Sequence, residues 1–121
     1  MQTVKASRGI VTAPHYLAAR AGRDVLADGG NAIEASVAVA AALATVYPHM
    51  TGIGGDGFWL VREPDGRVHL VHGCGGAAAK ADLSLYAGHD AVPQRGPLAA
   101  NTVAGTVSAW EAVLDHPECT L

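Results

Sequence analysis

Hydrophobic residues recur at helical spacing in the first quarter of the chain. Apolar side chains at positions 17, 18, 21, 25 and 26 share one face, while the charged residues fall largely elsewhere. This pattern predicts an amphipathic helix that ends at Gly29-Gly30. Before it, the β-branched run at residues 9–13 is closed by Pro14 and predicts a first strand.

A second helix is predicted to start at Asn31, which suits an N-cap. Glu34, three residues later, can reach back to the cap in a capping box. The pattern continues to about Tyr47, and Pro48 ends it. Because residues 33–46 are apolar on nearly every side, we expect protein to cover this helix all round.

The second half of the chain predicts a hairpin and a last helix. Two strand-like runs, at residues 58–63 and 67–71, flank the turn sequence Pro64-Asp-Gly66. A short helical turn, an irregular proline-bearing connection and a final helix are predicted at residues 82–86, 92–100 and 103–114. This order indicates an α+β arrangement in which residues 1–121 form a single, incomplete module.

Four glycines lie between Gly52 and Gly57, directly before the first hairpin strand. Such a cluster is typical of positive φ angles or close backbone approach, in either a tight turn or an anion cradle. A phosphate cradle needs a strand before the glycines and a helix after them, which is the reverse of this order. Asp56 also places a negative charge in the loop, so the pattern favours a tight turn over nucleotide binding.

Composition narrows the function further. Hydrophobic residues make up 50% of the chain, charged residues 16% and aromatic residues only 5%, so we expect a globular core built by close backbone packing. The net charge of −3 offers no basic surface, which argues against a nucleic-acid partner. The longest apolar run, residues 32–47, is too short to span a bilayer, and no secretory signal is seen at the N-terminus. We therefore expect no membrane association and a cytoplasmic location.

Cysteines and histidines show no spacing typical of a metal site. Cys74 and Cys119 are far apart and lie in no partner motif. His69 and His72 are three apart on a predicted strand and should face opposite sides, and the remaining histidines have no ligand spacing. Their positions are His15, His49, His89 and His116. The sequence thus predicts no bound metal.

Two residues near the glycines are candidates for chemistry. Asp56 can orient a substrate amine, although hydrogen bonds to nearby backbone N–H groups are the favoured interpretation. Cys74 is flanked by glycine, but a catalytic thiol needs a lowered pKa, and the sequence offers only His72 close by. An ordinary thiol is the favoured interpretation from these residues alone.

Three segments, at residues 9–15, 21–40 and 52–58, together resemble the start of the gamma-glutamyltransferase family. The sequences that carry the resemblance are Gly29-Gly-Asn-Ala-Ile-Glu-Ala35 and, about twenty residues later, Gly52-Ile-Gly-Gly-Asp-Gly-Phe58. A looser likeness extends through residues 77–81 to 103–110, and residues 116–121 do not resemble the family's continuation. We expect a fragment or a truncated gene product.

The resemblance implies an N-terminal nucleophile hydrolase of four-layer αββα architecture, made as a self-cleaving precursor. This chain resembles the opening part of the large subunit. Its partner would be a catalytic small subunit from the same precursor, whose N-terminal threonine is the nucleophile. The substrate would be a small-molecule gamma-glutamyl compound or related amide, with no metal or organic cofactor. The chain alone would be inactive, because none of its threonines occupies the nucleophile position: Thr3, Thr12, Thr45, Thr51, Thr102, Thr106 and Thr120.

The resemblance also assigns a position to Cys74. Aligning residues 77–81 with the family places Cys74 where an arginine binds the α-carboxylate of the substrate. A thiol cannot make that bidentate contact, so Cys74 is predicted to be a substrate-binding residue of altered specificity, or the loop's backbone N–H groups take over. Two alternatives stay open: an acylase of the same family with non-glutamyl specificity, and a non-catalytic scaffold or binding fragment.

Overall fold

The computed structural model describes residues 3–99 and 102–116. Within these ranges the chain forms three α-helices, one two-stranded antiparallel sheet and a short 3₁₀ helix. Their bounds are α1 Tyr16–Ala27, α2 Ala32–Val46, β1 Gly57–Arg62, β2 Val68–Gly73, the 3₁₀ helix Leu83–Tyr86, and α3 Thr106–Leu114. The predicted helices, hairpin and helical turn are therefore confirmed, and no described helix has the length and apolar character needed to cross a bilayer.

Small residues let α1 and α2 pack closely. Ala18 and Gly22 of α1 are buried, and a Cβ atom at Gly22 would lie only 2.6 Å from Cγ2 of Val39 in α2. This contact agrees with an interior built by backbone approach. However, Ile33 and Ala35 are the only buried residues among those of α2. The described residues thus cover α2 only in part, and complete cover by protein stays a prediction that requires surfaces outside this chain.

A capping box begins α2 as predicted. Oδ1 of Asn31 accepts hydrogen bonds from the N–H groups of Ile33 at 2.9 Å and Glu34 at 3.0 Å. In return, the N–H of Asn31 donates to Oε2 of Glu34 at 2.8 Å. Together these bonds satisfy donors that a helix start leaves without intrahelical partners.

Substituting Asn31 with alanine is expected to lower the free energy of unfolding by about 1 kcal/mol, since the cap acceptor is lost. Ser36→Ala in the same helix is the matched control. The Ser36 side chain is exposed and only donates back to the carbonyl of Ala32, so its loss is expected to be near neutral. Urea denaturation measures both, and equal losses would contradict a specific role for the cap.

The hairpin places two different faces on the molecule. Gly57 pairs with Gly73 at one end and Arg62 with Val68 at the other, and Gly66 in the turn takes a φ of 94°. One face packs towards α3. The opposite face is exposed and mainly apolar, and we call it the open hairpin face; its residues are Phe58, Leu60, Val68 and Leu70, with Arg62 and His72 at its ends.

Two sequence predictions of secondary structure differ from the structure. Residues 9–13 are not a strand, because no described strand lies beside them to complete a ladder. The last helix begins at Thr106, three residues later than predicted. The N–H of Val103 is held at 3.0 Å by the carbonyl of Gly76, and the N–H of Gly105 at 3.0 Å by that of Gly55. These contacts keep the segment non-helical.

Candidate substrate-binding site

The glycine loop between α2 and β1 is fastened to the start of α3 through one carbonyl group. The oxygen of Gly55 accepts the N–H groups of Gly105 and Thr106, each at 3.0 Å, and the Thr106 hydroxyl at 2.7 Å. Three donors on one acceptor fix the loop at the residue that precedes Asp56. The order helix, loop, strand is also confirmed, which is the reverse of a phosphate cradle.

Glycines of this loop do not use left-handed backbone conformations. The described glycines with positive φ lie elsewhere, at Gly9, Gly29, Gly66, Gly88 and Gly96. Within the loop, only Gly57 lies against another segment, where a Cβ atom would be 3.3 Å from Cα of Thr106. The loop glycines therefore show no positive φ, and the other expected feature, close backbone approach, is found at Gly57.

The closest backbone contacts of glycines near this site lie just after the hairpin. A Cβ atom at Gly75 would lie 1.6 Å from the carbonyl oxygen of Val103, and one at Gly105 would lie 2.3 Å from that of Gly73. Side chains are excluded at both positions. This interlocked backbone places the residue between Gly73 and Gly75, which is Cys74, beside the glycine loop.

Asp56 gathers side chains from two distant segments. Its Oδ1 accepts the Thr102 hydroxyl at 2.8 Å, and its Oδ2 accepts the Cys74 thiol at 3.3 Å. The backbone of Gly75 donates to the same carboxylate. A backbone N–H is thus among its donors, as predicted, but the hydroxyl and thiol donors come from segments brought together by tertiary packing.

The cluster has defined protonation states. Hydrogen bonds from Thr102 and then from Cys74 hold the pKa of Asp56 below its usual value, helped by Gly75 and the charge of nearby His72. The carboxylate in turn raises the pKa of the Cys74 thiol, first by accepting its hydrogen and then, together with burial, by its charge. At neutral pH the pair is a carboxylate and a thiol, and Cys74 is a poor nucleophile.

Alkylation of Cys74 by iodoacetamide is expected to be slow at neutral pH. Its rate should rise only at a higher pH than the rate for an ordinary thiol does. The raised pKa leaves little thiolate at neutral pH. Asp56→Asn removes the negative charge and the strongest acceptor, so the rate near neutrality should increase several-fold. Asp90→Asn, at an exposed loop position, is the control.

Rates are best followed by peptide mass spectrometry in a Cys119→Ser background, so that one thiol is observed. An unchanged rate in Asp56→Asn would contradict the assigned coupling. So would an equal acceleration in the control variant.

A cavity of about 260 Å³ adjoins the cluster. Asp56 is one of its lining residues. Cys74 does not line the cavity and is connected to it by the hydrogen bond to the Asp56 carboxylate. The remaining lining is contributed by α2, the glycine loop, β1 and α3: Ser36, Val39, Ala40, Leu43, Thr51, Gly52, Gly57, Phe58, Trp59, Thr106 and Trp110. The cavity therefore has apolar walls and one fixed carboxylate at its edge, which suits a small organic ligand with hydrogen-bond donors.

Several sequence candidates are placed by the structure. Thr102 and Thr106 support the site by donating hydroxyl groups, a role that sequence did not reveal because each lies about fifty residues from its acceptor. Cys119 and Thr120 lie outside the described residues. As predicted, His69 and His72 lie on opposite faces of β2, as the alternating burial indicates.

The spacing of residues in the sequence did not reveal a cluster of two histidines and a glutamate. His116, just after α3, lies beside His69 and Glu63 at the far end of the hairpin, where the three can offer ligand atoms within 4.8 Å of one another. The prediction that His116 belongs to no ligand set considered only its sequence neighbours. No signal within the single sequence relates position 116 to position 63.

Comparison with known proteins gives consistent results. The family model described as gamma-glutamyltranspeptidase matches residues 18–116. An oxamate amidohydrolase proenzyme of Klebsiella pneumoniae is 52% identical over 108 residues, covering 89% of this chain and 20% of that protein. A glutathione hydrolase-like proenzyme of Bacillus subtilis is 46% identical over 114 residues, covering 93% of this chain and 22% of that protein. The chain thus spans about a fifth of the length of these curated relatives.

A solved structure shares the fold. The gamma-glutamyltranspeptidase of Helicobacter pylori superposes with a TM-score of 0.82 at 33% sequence identity, covering 93% of this chain and 34% of that one. The predicted N-terminal nucleophile hydrolase fold class is confirmed, with this chain supplying a partial α+β portion of it.

Proposed function

Since the chain belongs to the gamma-glutamyltranspeptidase family, we propose that it is the large-subunit portion of an amidohydrolase whose nucleophile is a threonine on a separate small subunit. The relatives are named as proenzymes, which supports formation of both subunits from one precursor. The threonine oxygen would attack the amide carbonyl, the C–N bond would break, and water would hydrolyse the resulting ester. The threonine's own amine would accept and return the proton.

This chain's part in the reaction is to form one wall of the acyl pocket. The cavity beside Asp56 is open to solvent, which suits completion by a partner polypeptide. The open hairpin face supports the same arrangement, because Phe58 is 62% and Leu60 75% exposed and an apolar sheet face is normally covered. On its own the chain is expected to be inactive.

The observation that carries the substrate proposal is the Asp56–Cys74–Thr102 cluster. It presents a carboxylate where the family resemblance predicts a carboxylate-binding arginine. The hairpin arginines Arg62 and Arg67 are at the opposite end of the strands, about 16 Å from Gly57 and about 20 Å from Gly73 respectively at about 3.3 Å per residue. A negative group at this position, without an arginine among its described partners, disfavours a gamma-glutamyl α-carboxylate and suits an uncharged donor such as an amide N–H. We therefore propose a non-glutamyl amide as the substrate.

Intact mass spectrometry of the protein purified from its source, under denaturing conditions, tests the subunit proposal. A second polypeptide with an N-terminal threonine, in addition to the polypeptide that contains this chain, is the expected result. The assembled protein is then assayed with a gamma-glutamyl anilide and with small neutral primary amides such as acetamide. Preference for the small amides supports the substrate proposal, and preference for the anilide overturns it.

If only the polypeptide that contains this chain is found, or if this chain alone hydrolyses either substrate, the proposed division of labour is wrong. The first of these results favours a non-catalytic scaffold or binding fragment instead.

A further inference from the structure

The end of the hairpin opposite Cys74 carries a second cluster of chemically active side chains. Glu63 follows β1, His69 lies on β2, and His116 follows α3. Four residues separate His69 from Gly73 along β2, which corresponds to about 13 Å. This group is therefore separate from the candidate substrate-binding site.

Both histidines face the same carboxylate oxygen. Nε2 of His69 lies 2.5 Å from Oε1 of Glu63, and Nε2 of His116 lies 3.8 Å from it. The two imidazole rings meet edge to face, with centroids 4.6 Å apart. One oxygen and two ring nitrogens thus converge from three separate elements.

Burial makes this convergence unusual. Glu63 is only 4% exposed, and a charged carboxylate in that environment needs compensation. Nε2 of His69 is buried, and despite its short distance to Oε1 it makes no hydrogen bond of acceptable angle. A buried ring nitrogen without a hydrogen bond, beside a buried carboxylate, is a polar atom that a bound cation would satisfy.

Arg67 and Asp65 hold the other side of the carboxylate. The Arg67 guanidinium contacts Oε2 of Glu63, which leaves Oε1 directed at the histidines. Asp65 accepts from Nε of Arg67 at 2.6 Å and so offsets part of its positive charge. These contacts act as an outer shell that orients a ligand carboxylate.

From this geometry we propose that Glu63, His69 and His116 bind a divalent transition-metal ion of the Zn²⁺ class. Two imidazole nitrogens and one carboxylate oxygen form a ligand set that Zn²⁺ takes, with a water at the fourth position. Ligands of a tetrahedral Zn²⁺ lie about 3.3 Å apart for bonds of about 2.0 Å. The three atoms lie within 4.8 Å of one another, and binding the ion would require small side-chain rotations to reach that spacing. The ion would join the C-terminal end of α3 to the hairpin.

Titration of the purified, untagged protein with Co²⁺ tests the proposal, since Co²⁺ occupies such sites and absorbs visible light. We expect binding of one equivalent, displaced by Zn²⁺. His69→Gln and His116→Gln should each weaken the affinity at least tenfold. His72→Gln is the matched control, because His72 lies on the same strand but on its other face, and its affinity should not change.

Circular dichroism establishes that each variant is folded. If a variant unfolds, the wild-type protein is tested instead. It is treated with diethyl pyrocarbonate with and without Zn²⁺, and modification of each histidine is measured by peptide mass spectrometry. Protection of His69 and His116 but not His72 supports the site. Absence of Co²⁺ binding, an equal loss in His72→Gln, or uniform modification overturns it and leaves an ion-pair network of Glu63 with Arg67 and the histidines.

Discussion

Gly75→Ala is expected to lower the free energy of unfolding by about 3 kcal/mol or more. The new Cβ atom would lie 1.6 Å from the carbonyl oxygen of Val103, a distance that no side-chain rotation relieves because both atoms are fixed by the backbone. The segment after β2 and the segment before α3 would have to separate. Costs of this size arise from overpacking in rigid surroundings.

The neighbouring residue supplies the control. A Cβ atom added at Gly76 would meet no other atom within 4 Å, and Gly76 has no positive φ, so Gly76→Ala should change the stability by less than about 0.5 kcal/mol. Urea denaturation of both variants gives the comparison. Similar losses for the two substitutions would mean that general loop flexibility, and not the contact with Val103, requires glycine here.

A change of substrate preference is expected when Cys74 is replaced by arginine in the assembled enzyme together with Asp56→Asn. This prediction rests on the proposed function. The guanidinium would offer a bidentate partner to an α-carboxylate, and removing the Asp56 charge prevents it from pairing with the new arginine instead. A charge-assisted pair contributes about 1.5–3 kcal/mol, which corresponds to about a 10- to 100-fold gain in kcat/KM for a gamma-glutamyl anilide.

Cys74→Lys with Asp56→Asn is the matched control, because lysine carries the same charge without the planar fork. It should give a smaller gain. Turnover of a neutral amide measures any general effect on the pocket. The assignment of position 74 would be wrong if arginine and lysine gave equal gains, or if the neutral amide gained as much as the anilide.

Local chemistry made most of the fold predictable from the sequence. The capping box at Asn31 and the Pro64-Asp-Gly66 turn act within a few residues, and both are found as predicted. Residues 9–13 have the composition of a strand, but a strand depends on a neighbour that single-sequence patterns do not identify. The start of α3 was misplaced for a similar reason, since Gly55 and Gly76 hold its preceding residues from far along the chain.

The candidate site was only partly predictable. Cys74 and Asp56 could be selected because glycines surround them. In addition, the family resemblance places position 74 where an arginine binds the α-carboxylate of the substrate. The hydrogen bond between Cys74 and Asp56, and the one from Thr102, join residues 18 and 46 positions apart, and no period or spacing rule covers such distances. His116 illustrates the same limit, because its relation to Glu63 depends on how α3 packs on the hairpin.

The open hairpin face has a consequence for biosynthesis. Phe58, Leu60 and Leu70 are each more than half exposed, and two strands alone are marginally stable in water. Until another layer docks, a newly made chain presents an apolar ribbon with free edges, which is the kind of surface that nucleates aggregation. If the small subunit of the same precursor covers this face, as the proposed function implies, expression of the whole precursor should yield more soluble protein than expression of this chain alone.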